Sequence, residues 1–199
     1  MSRSFLKKSI ASLPAATNQG IQPDLLSTTA KNFYVKTLSG RVIQINFEKA
    51  REHHEYIILH FWGTWCVPCR NDFPAFLEFA KRNQSPNLSI AAISWMEKGE
   101  TEEEKLQNIR SFINKLNYNP KEGPPPVYFF LGDDNLGTET AKHYGLGRFP
   151  LTIFIDSEGK IVKRITGITD WNSDEMKSLI TQFISGKLPP LKPGTIFDD

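Results

Sequence analysis

The sequence has no apolar run of membrane-spanning length, so no helix of it is expected to cross a bilayer. An excess of one charge is also missing. The 24 Lys and Arg against 22 Asp and Glu leave a net charge of +2. That balance gives no electrostatic reason to expect nucleic acid or an anionic membrane surface as the partner. Lys7-Lys8 is an isolated basic pair, not a tract. The N-terminus has basic residues, but Ser9-Ile10-Ala11-Ser12-Leu13-Pro14 is too polar and too short for the core of a secretory leader. On this reading either the protein stays in the cytoplasm or the sequence as written lacks its leader.

Cysteine is scarce as well. The two cysteines, Cys66 and Cys69, stand three positions apart. A structural framework spreads its cysteines to close long loops, and a bridge here would close almost nothing. Redox or metal chemistry is the alternative. Zinc usually needs four ligands, commonly a second Cys pair or a closely spaced His pair. The chain has no further cysteine; His53-His54 are adjacent, and His60 and His143 are scattered. The spacing therefore favours redox chemistry, with no metal and no cofactor expected.

What is present reads as one domain. Residues 1–30, rich in Ser, Ala, Thr, Asn, Gln and Pro, are expected to form a mobile N-terminal extension. Residues 31–186 are expected to form the folded domain, and 187–199 a proline-rich surface tail. Strands are predicted over 31–36 and 41–46 around Leu38-Ser39-Gly40, with a helical turn over 47–54. The apolar run 56–62 suits a central strand buried on both faces. A helix to about residue 83 follows, with Phe73, Phe76, Leu77 and Ala80 inward and Pro74 kinking it. Residues 88–95 read as a buried strand. Thr101 and Glu104 form a capping box opening a helix with Leu106, Ile109, Phe112, Ile113 and Leu116 on one face. The loop 119–126 has four prolines and should be extended. A strand over 127–131 and a short helix over 136–144 precede a hairpin of 151–155 and 161–166. Ser173 caps a last helix with Met176, Leu179, Ile180, Phe183 and Ile184 inward and Gly186 at its end. The order predicts an α/β fold: a mixed central sheet with helices on both faces.

The chemistry is expected where the strand 56–62 meets the following helix. A cysteine at a helix N-terminus faces unpaired N–H groups and the positive end of the helix dipole. Its thiol should ionise below the free value of about 8.5. Cys69 returns beside Cys66 after one turn. Cys66, the more exposed, is the expected attacking sulfur, and Cys69 the resolving one. Pro68 fits the first helical turn, and Val67-Pro68 tunes the potential. Trp65 is expected as a platform beside Cys66 and Trp62 as core; Arg70 either favours the thiolate or is simply solvated. Asp133-Asp134, following a strand inside Gly132-Asp133-Asp134-Asn135, reads as a turn. Tyr128, Phe129 and Phe130 read as a core strand.

These residues resemble the thioredoxin-like superfamily. Within it they are most similar to the TlpA/ResA group of bacterial extracytoplasmic thiol–disulfide reductases. The resemblance rests on Phe61-Trp62-Gly63-Thr64-Trp65-Cys66-Val67-Pro68-Cys69-Arg70 and on Asp72-Phe73-Pro74. It resumes over Tyr144 to Asp156, with Arg148-Phe149-Pro150 at its centre, and ends at Gly159-Lys160-Ile161-Val162 and Gly167. It covers roughly residues 30–186 and implies a thioredoxin-like three-layer fold. It also implies a cis-proline at Pro150 facing the disulfide, with Phe149 offering backbone groups to an extended partner. Asp72 would sit near Cys69 and assist its proton transfer. The implied partners are protein thiols and disulfides and an upstream thiol donor, and the implied location is outside the cytoplasm; the protein itself is expected to be a monomer. Two residues depart from the pattern. His60 stands where the group often has Asn and thioredoxin has a buried Asp; it is either a proton acceptor for Cys69 or, as favoured, a satisfied strand histidine. Phe149 is bulkier than is usual before this proline. The expected function is reduction of protein disulfides through the Cys66/Cys69 couple. The alternatives are a copper chaperone or a thioredoxin-like binding module without turnover.

Overall fold

The computed structural model of the chain describes residues 29–118 and 125–188. The extension up to residue 28, the stretch 119–124 and the tail from 189 lie outside the described residues. At the domain's edges, Thr29 bridges to Lys160 and Ala30 is buried, so packing reaches into the last two residues assigned to the extension.

The elements follow the hydrophobic pattern. Strands β1 (Phe33–Thr37) and β2 (Val42–Ile45) form a hairpin, followed by helix α1 (Phe47–Glu52). Then come β3 (Tyr56–Trp62), α2 (Val67–Arg82), β4 (Leu88–Ser94), α3 (Glu102–Lys115) and β5 (Tyr128–Leu131). Helix α4 (Glu139–Tyr144), strands β6 (Leu151–Ile155) and β7 (Ile161–Thr166), and helix α5 (Asp174–Ile184) complete it. The strands make one seven-stranded sheet in the order β2-β1-β5-β4-β3-β6-β7. β3, β4 and β5 run parallel, because a helix carries the chain back between them. β6 and β7 form the expected hairpin, and β6 lies antiparallel to β3.

Strand alternation sorts the core into two layers. One face of the sheet supplies Ile58, Trp62, Ile90 and Ala92 to a cluster shared with α2, α3 and α5. The other supplies Leu59, Phe61, Ile93 and Ile153 to a cluster shared with α1 and α4. β3 has Tyr56 half-buried and every later residue buried, as a strand covered on both faces must. The capping box of α3 is complete in both directions. Helix α2 continues through Pro74 as one element, and Phe73, Phe76, Leu77 and Ala80 are buried, joined by Phe79. Two residues depart from the expected pattern. Tyr128, read as part of a core strand, opens β5 and is 40 % exposed, while Phe129, Phe130 and Leu131 after it are buried. Ile184 was placed inward, but it is 42 % exposed. Met176, Ile180 and Phe183 already form the i, i+4, i+7 stripe, and the next residue falls on its flank in the last turn.

Candidate active site at the start of α2

β3 ends at Trp62, at the C-terminal end of the parallel strands in the middle of the sheet, and α2 begins at Val67. Cys66 is the N-cap of α2, and its sulfur accepts the backbone N–H of Cys69 at 3.3 Å. Pro68 occupies the first turn, where a missing N–H leaves no helical bond unmade. One turn brings the two cysteines together, and they are joined as a disulfide with their Cα atoms 5.3 Å apart. Cys66 is the more exposed, but only by 5 % against 0 %. The pair is sunk into the surface and not displayed on it.

Two loops from elsewhere in the sequence close around this disulfide. The Phe149–Pro150 peptide is cis, and the Phe149 carbonyl oxygen lies 3.8 Å from Cys66 Sγ. The carbonyl of the buried Pro150 accepts the Gly167 N–H at 2.8 Å, which ties this turn to the end of β7. Trp65 is half-buried. Its indole N–H donates to the Trp95 carbonyl at 3.2 Å, and its ring meets Phe149 edge-on at 5.7 Å. Gly63 makes room for that ring, since a Cβ there would stand 2.4 Å from the indole nitrogen.

Asp72 lies one turn beyond Cys69 on the same helix and is buried. Its carboxylate accepts the Thr169 N–H at 3.2 Å and the Trp171 indole N–H at 2.9 Å. Burial pushes its pKa up, against the opposing pull of those two bonds. His60 is also fully buried, on the α2 side of β3 with Ile58 and Trp62. Its Nδ1 is 2.9 Å from Thr152 Oγ1, and its ring stacks on Phe76 at 4.1 Å with Phe73 and Trp171 edge-on. Nε2 is buried without a hydrogen-bond partner among the described residues. Desolvation in this aromatic box lowers the His60 pKa to about 3. The favoured reading of a satisfied histidine therefore meets a half-satisfied one, and a group so hard to protonate is poorly suited to accept a proton from Cys69.

The structure thus gathers Trp65, Cys66, Pro68, Cys69, Asp72, Phe149 and Pro150 at one end of the sheet, with His60 beneath α2. Arg70 is exposed and donates to the Thr64 carbonyl at 3.1 Å. Trp62 is fully buried against Phe73 and Phe112, as core. Asp133-Asp134 lies in the connection after β5, and neither carboxylate touches the cysteines; Asp134 pairs with Lys105. Sequence reasoning missed Trp171, Thr152, Thr64 and Glu97. A lone Trp between Asp170 and Asn172 was a usable signal, because a tryptophan in a polar stretch needs somewhere to pack. Glu97 gave none, since it opens a charged run that reads as surface. Among the described residues, no group of three or more His, Cys, Asp or Glu side chains is placed to hold a metal ion.

A disulfide at a helix N-terminus facing a cis X-Pro turn, in a mixed sheet covered on both faces, defines a thioredoxin-like thiol–disulfide site. The profile of the AhpC/TSA family matches residues 26–164, and the chain belongs to that family. Among its relatives is the thiol-disulfide oxidoreductase ResA of Bacillus anthracis, 30 % identical over 138 residues, 69 % of this chain and 68 % of the relative. ResA of Bacillus subtilis is 29 % identical, over 69 % of this chain and 65 % of its own. The fold resembles the thioredoxin domain of a thiol-disulfide oxidoreductase from Bacteroides vulgatus, with a TM-score of 0.58 and 19 % identity, covering 80 % of this chain and 99 % of that one. StoA from Bacillus subtilis matches with a TM-score of 0.53 and 23 % identity, covering 78 % and 99 %. The enzyme class is thiol–disulfide oxidoreductase, working through Cys66 and Cys69.

Proposed function

We propose that the protein reduces disulfides of other proteins. The observation that carries this reading is the sunken Cys66–Cys69 pair at the α2 N-terminus beside the Phe149–Pro150 backbone. Such a pair is reached by an extended segment lying along that turn, with the segment's own disulfide laid over Cys66. In the reduced enzyme the helix N-terminus and the Cys69 N–H favour the Cys66 thiolate. The thiolate attacks one sulfur of the partner disulfide. The bond formed is the mixed disulfide, and the partner's other sulfur leaves as a thiolate and takes a proton. Cys69 then loses its proton and attacks Cys66 Sγ. The Cys66–Cys69 bond forms, the partner leaves as a dithiol, and two electrons have passed to it. An upstream thiol donor of the same two-electron class must re-reduce the enzyme.

The remaining assignments follow from position. Asp72, a turn beyond Cys69 with its proton affinity raised by burial, is suited to take the Cys69 proton during resolution. Trp65 and Phe149 form the wall beside Cys66 on which a partner segment rests. The resemblance to the TlpA/ResA group supports a workplace outside the cytoplasm. Among the described residues no helix is long and apolar enough to cross a membrane.

The test is the reduction potential of the couple, measured by equilibration with dithiothreitol and glutathione buffers. A value near or below about −250 mV fits a reductant, and one near about −120 mV reverses the direction. Cys69→Ser should trap a mixed disulfide with a partner, and Cys66→Ser should abolish turnover.

A further inference from the structure

The mechanism above leaves one buried ionisable side chain beside the redox loop unused. Glu97 follows β4 and is 3 % exposed. Its two carboxylate oxygens accept four hydrogen bonds. The Thr64 N–H donates to one at 3.0 Å and Ser94 Oγ donates to the same oxygen. Thr64 Oγ1 donates to the other, joined by the Lys98 N–H at 3.2 Å. Half of these bonds come from Thr64, the residue two before Cys66. From the opposite side the Arg70 guanidinium donates to the Thr64 carbonyl at 3.1 Å. Thr64 is therefore gripped at its N–H, its hydroxyl and its carbonyl by residues from two other segments.

The turn that delivers Glu97 is itself unusual. Met96 has φ of 53°, a left-handed backbone that non-glycine residues adopt at a cost of roughly 1–3 kcal/mol. Its N–H is held by the Asp133 carbonyl at 2.9 Å, and its neighbour Trp95 holds the Trp65 indole through a carbonyl. Residues 94–98 thus make two separate attachments to the redox loop, one at Thr64 and one at Trp65. Burying a carboxylate short of donors is costly, so Thr64 cannot drift from Glu97 without removing half of the hydrogen bonds that the carboxylate accepts.

We infer that Glu97 is a positioning residue. It acts through Thr64 to hold Trp65 against Phe149, and so sets how the Cys66–Cys69 disulfide is presented to a protein partner. This rests on the reductase reading above, but its structural half has a readout independent of turnover. Trp65 is half-buried, whereas Trp62, Trp95 and Trp171 are at most 1 % exposed. Quenching of tryptophan fluorescence by acrylamide therefore reports chiefly on Trp65.

The experiment compares the full chain with Glu97→Ala, Glu97→Gln and Thr64→Val. Acrylamide quenching is measured alongside steady-state reduction of insulin by dithiothreitol and thermal unfolding. In Glu97→Ala, quenching rises and KM for insulin rises roughly tenfold with kcat changed less, since small misplacements of a binding group cost on that order. Glu97→Gln, which keeps an acceptor for Thr64, recovers most of both. In a Trp65→Ala background, Glu97→Ala adds little further loss, because the two act on one element. If Glu97→Ala does not fold, Thr64→Val carries the test with a smaller change in the same direction. Unchanged quenching in variants that unfold like the wild type overturns the inference, as does an effect of Glu97→Ala that persists in full without Trp65. A wild-type chain that fails to reduce insulin would instead strike the reductase reading, and the quenching result would still decide the role of Glu97.

Discussion

His60 and Asp72 both lie against Trp171 on the α2 side of the sheet, and burial pushes their pKa values in opposite directions. His60 falls from 6.5 to about 3. Its folded pKa is depressed, so the stability it contributes is present above pH 6.5 and is lost as pH falls toward 3. Within that window the loss approaches 1.4 kcal/mol per pH unit, the free-energy equivalent of one unit, as an order of magnitude. His60→Asn should flatten this slope. Urea titrations of both proteins at pH 7 and pH 5 check it: the wild type should lose more stability between them than the variant. Asp72 is raised above 3.8, so its ionisation costs stability as pH climbs through the raised value. Asp72→Asn should be relatively more stable than the wild type above that range than below it. The same variant should slow resolution by roughly 10²-fold or more, the usual scale for losing a positioned base. Single-turnover decay of the mixed disulfide measures it, and an unchanged rate would remove Asp72 from the proton path.

Each element carries its own evidence of why it forms where it does. Helix α3 begins at Thr101 because the Thr101 hydroxyl accepts the Glu104 N–H while the Glu104 carboxylate accepts the Thr101 N–H. Thr101→Ala removes one of these bonds and should cost about 1 kcal/mol, read as a shift in urea midpoint at unchanged slope. Helix α2 matters more for function, because its first turn is the site. Its N-terminus faces the end of β3, and its apolar face, with Phe73 and Phe76, packs onto the sheet, so the cysteines are fixed by the core and not by a free loop. The connection after β4 does comparable work from the other side through Trp95 and Glu97.

At the scale of the whole molecule, β3 and β4 are shared by the two core layers, and neither layer can lose its packing without exposing the other. Heating should therefore give one transition, coincident by circular dichroism and tryptophan fluorescence. The Cys66–Cys69 bridge spans so short a loop that reducing it should lower stability by no more than about 2 kcal/mol in the chain-entropy account. The reduced protein should keep its far-ultraviolet dichroism, as an enzyme that cycles between the two forms requires. A reduced chain that melts out at room temperature would mean the bridge holds the domain together, which fits poorly with turnover.

The sequence by itself determined the order of elements, the central place of 56–62, the capping box at Thr101 and the redox pair. These are local matters: apolar spacing, turn chemistry, and the scarcity of cysteine that left Cys66 and Cys69 only each other. The motif also pointed to Pro150, which is far from the cysteines in sequence but recognisable by its neighbours. Only the tertiary structure decided which distant groups meet that pair. Thr152 reaches His60 and Glu97 reaches Thr64 because β6 and β4 flank β3, and Trp171 reaches Asp72 because the segment between β7 and α5 folds against α2; residue spacing carries no trace of such pairings. It also decided the burial of His60, and burial alone turned a histidine with two readings into a neutral one. Local pattern sets which residues face inward; what they face depends on strand order, and so does the electrostatic cost of being there.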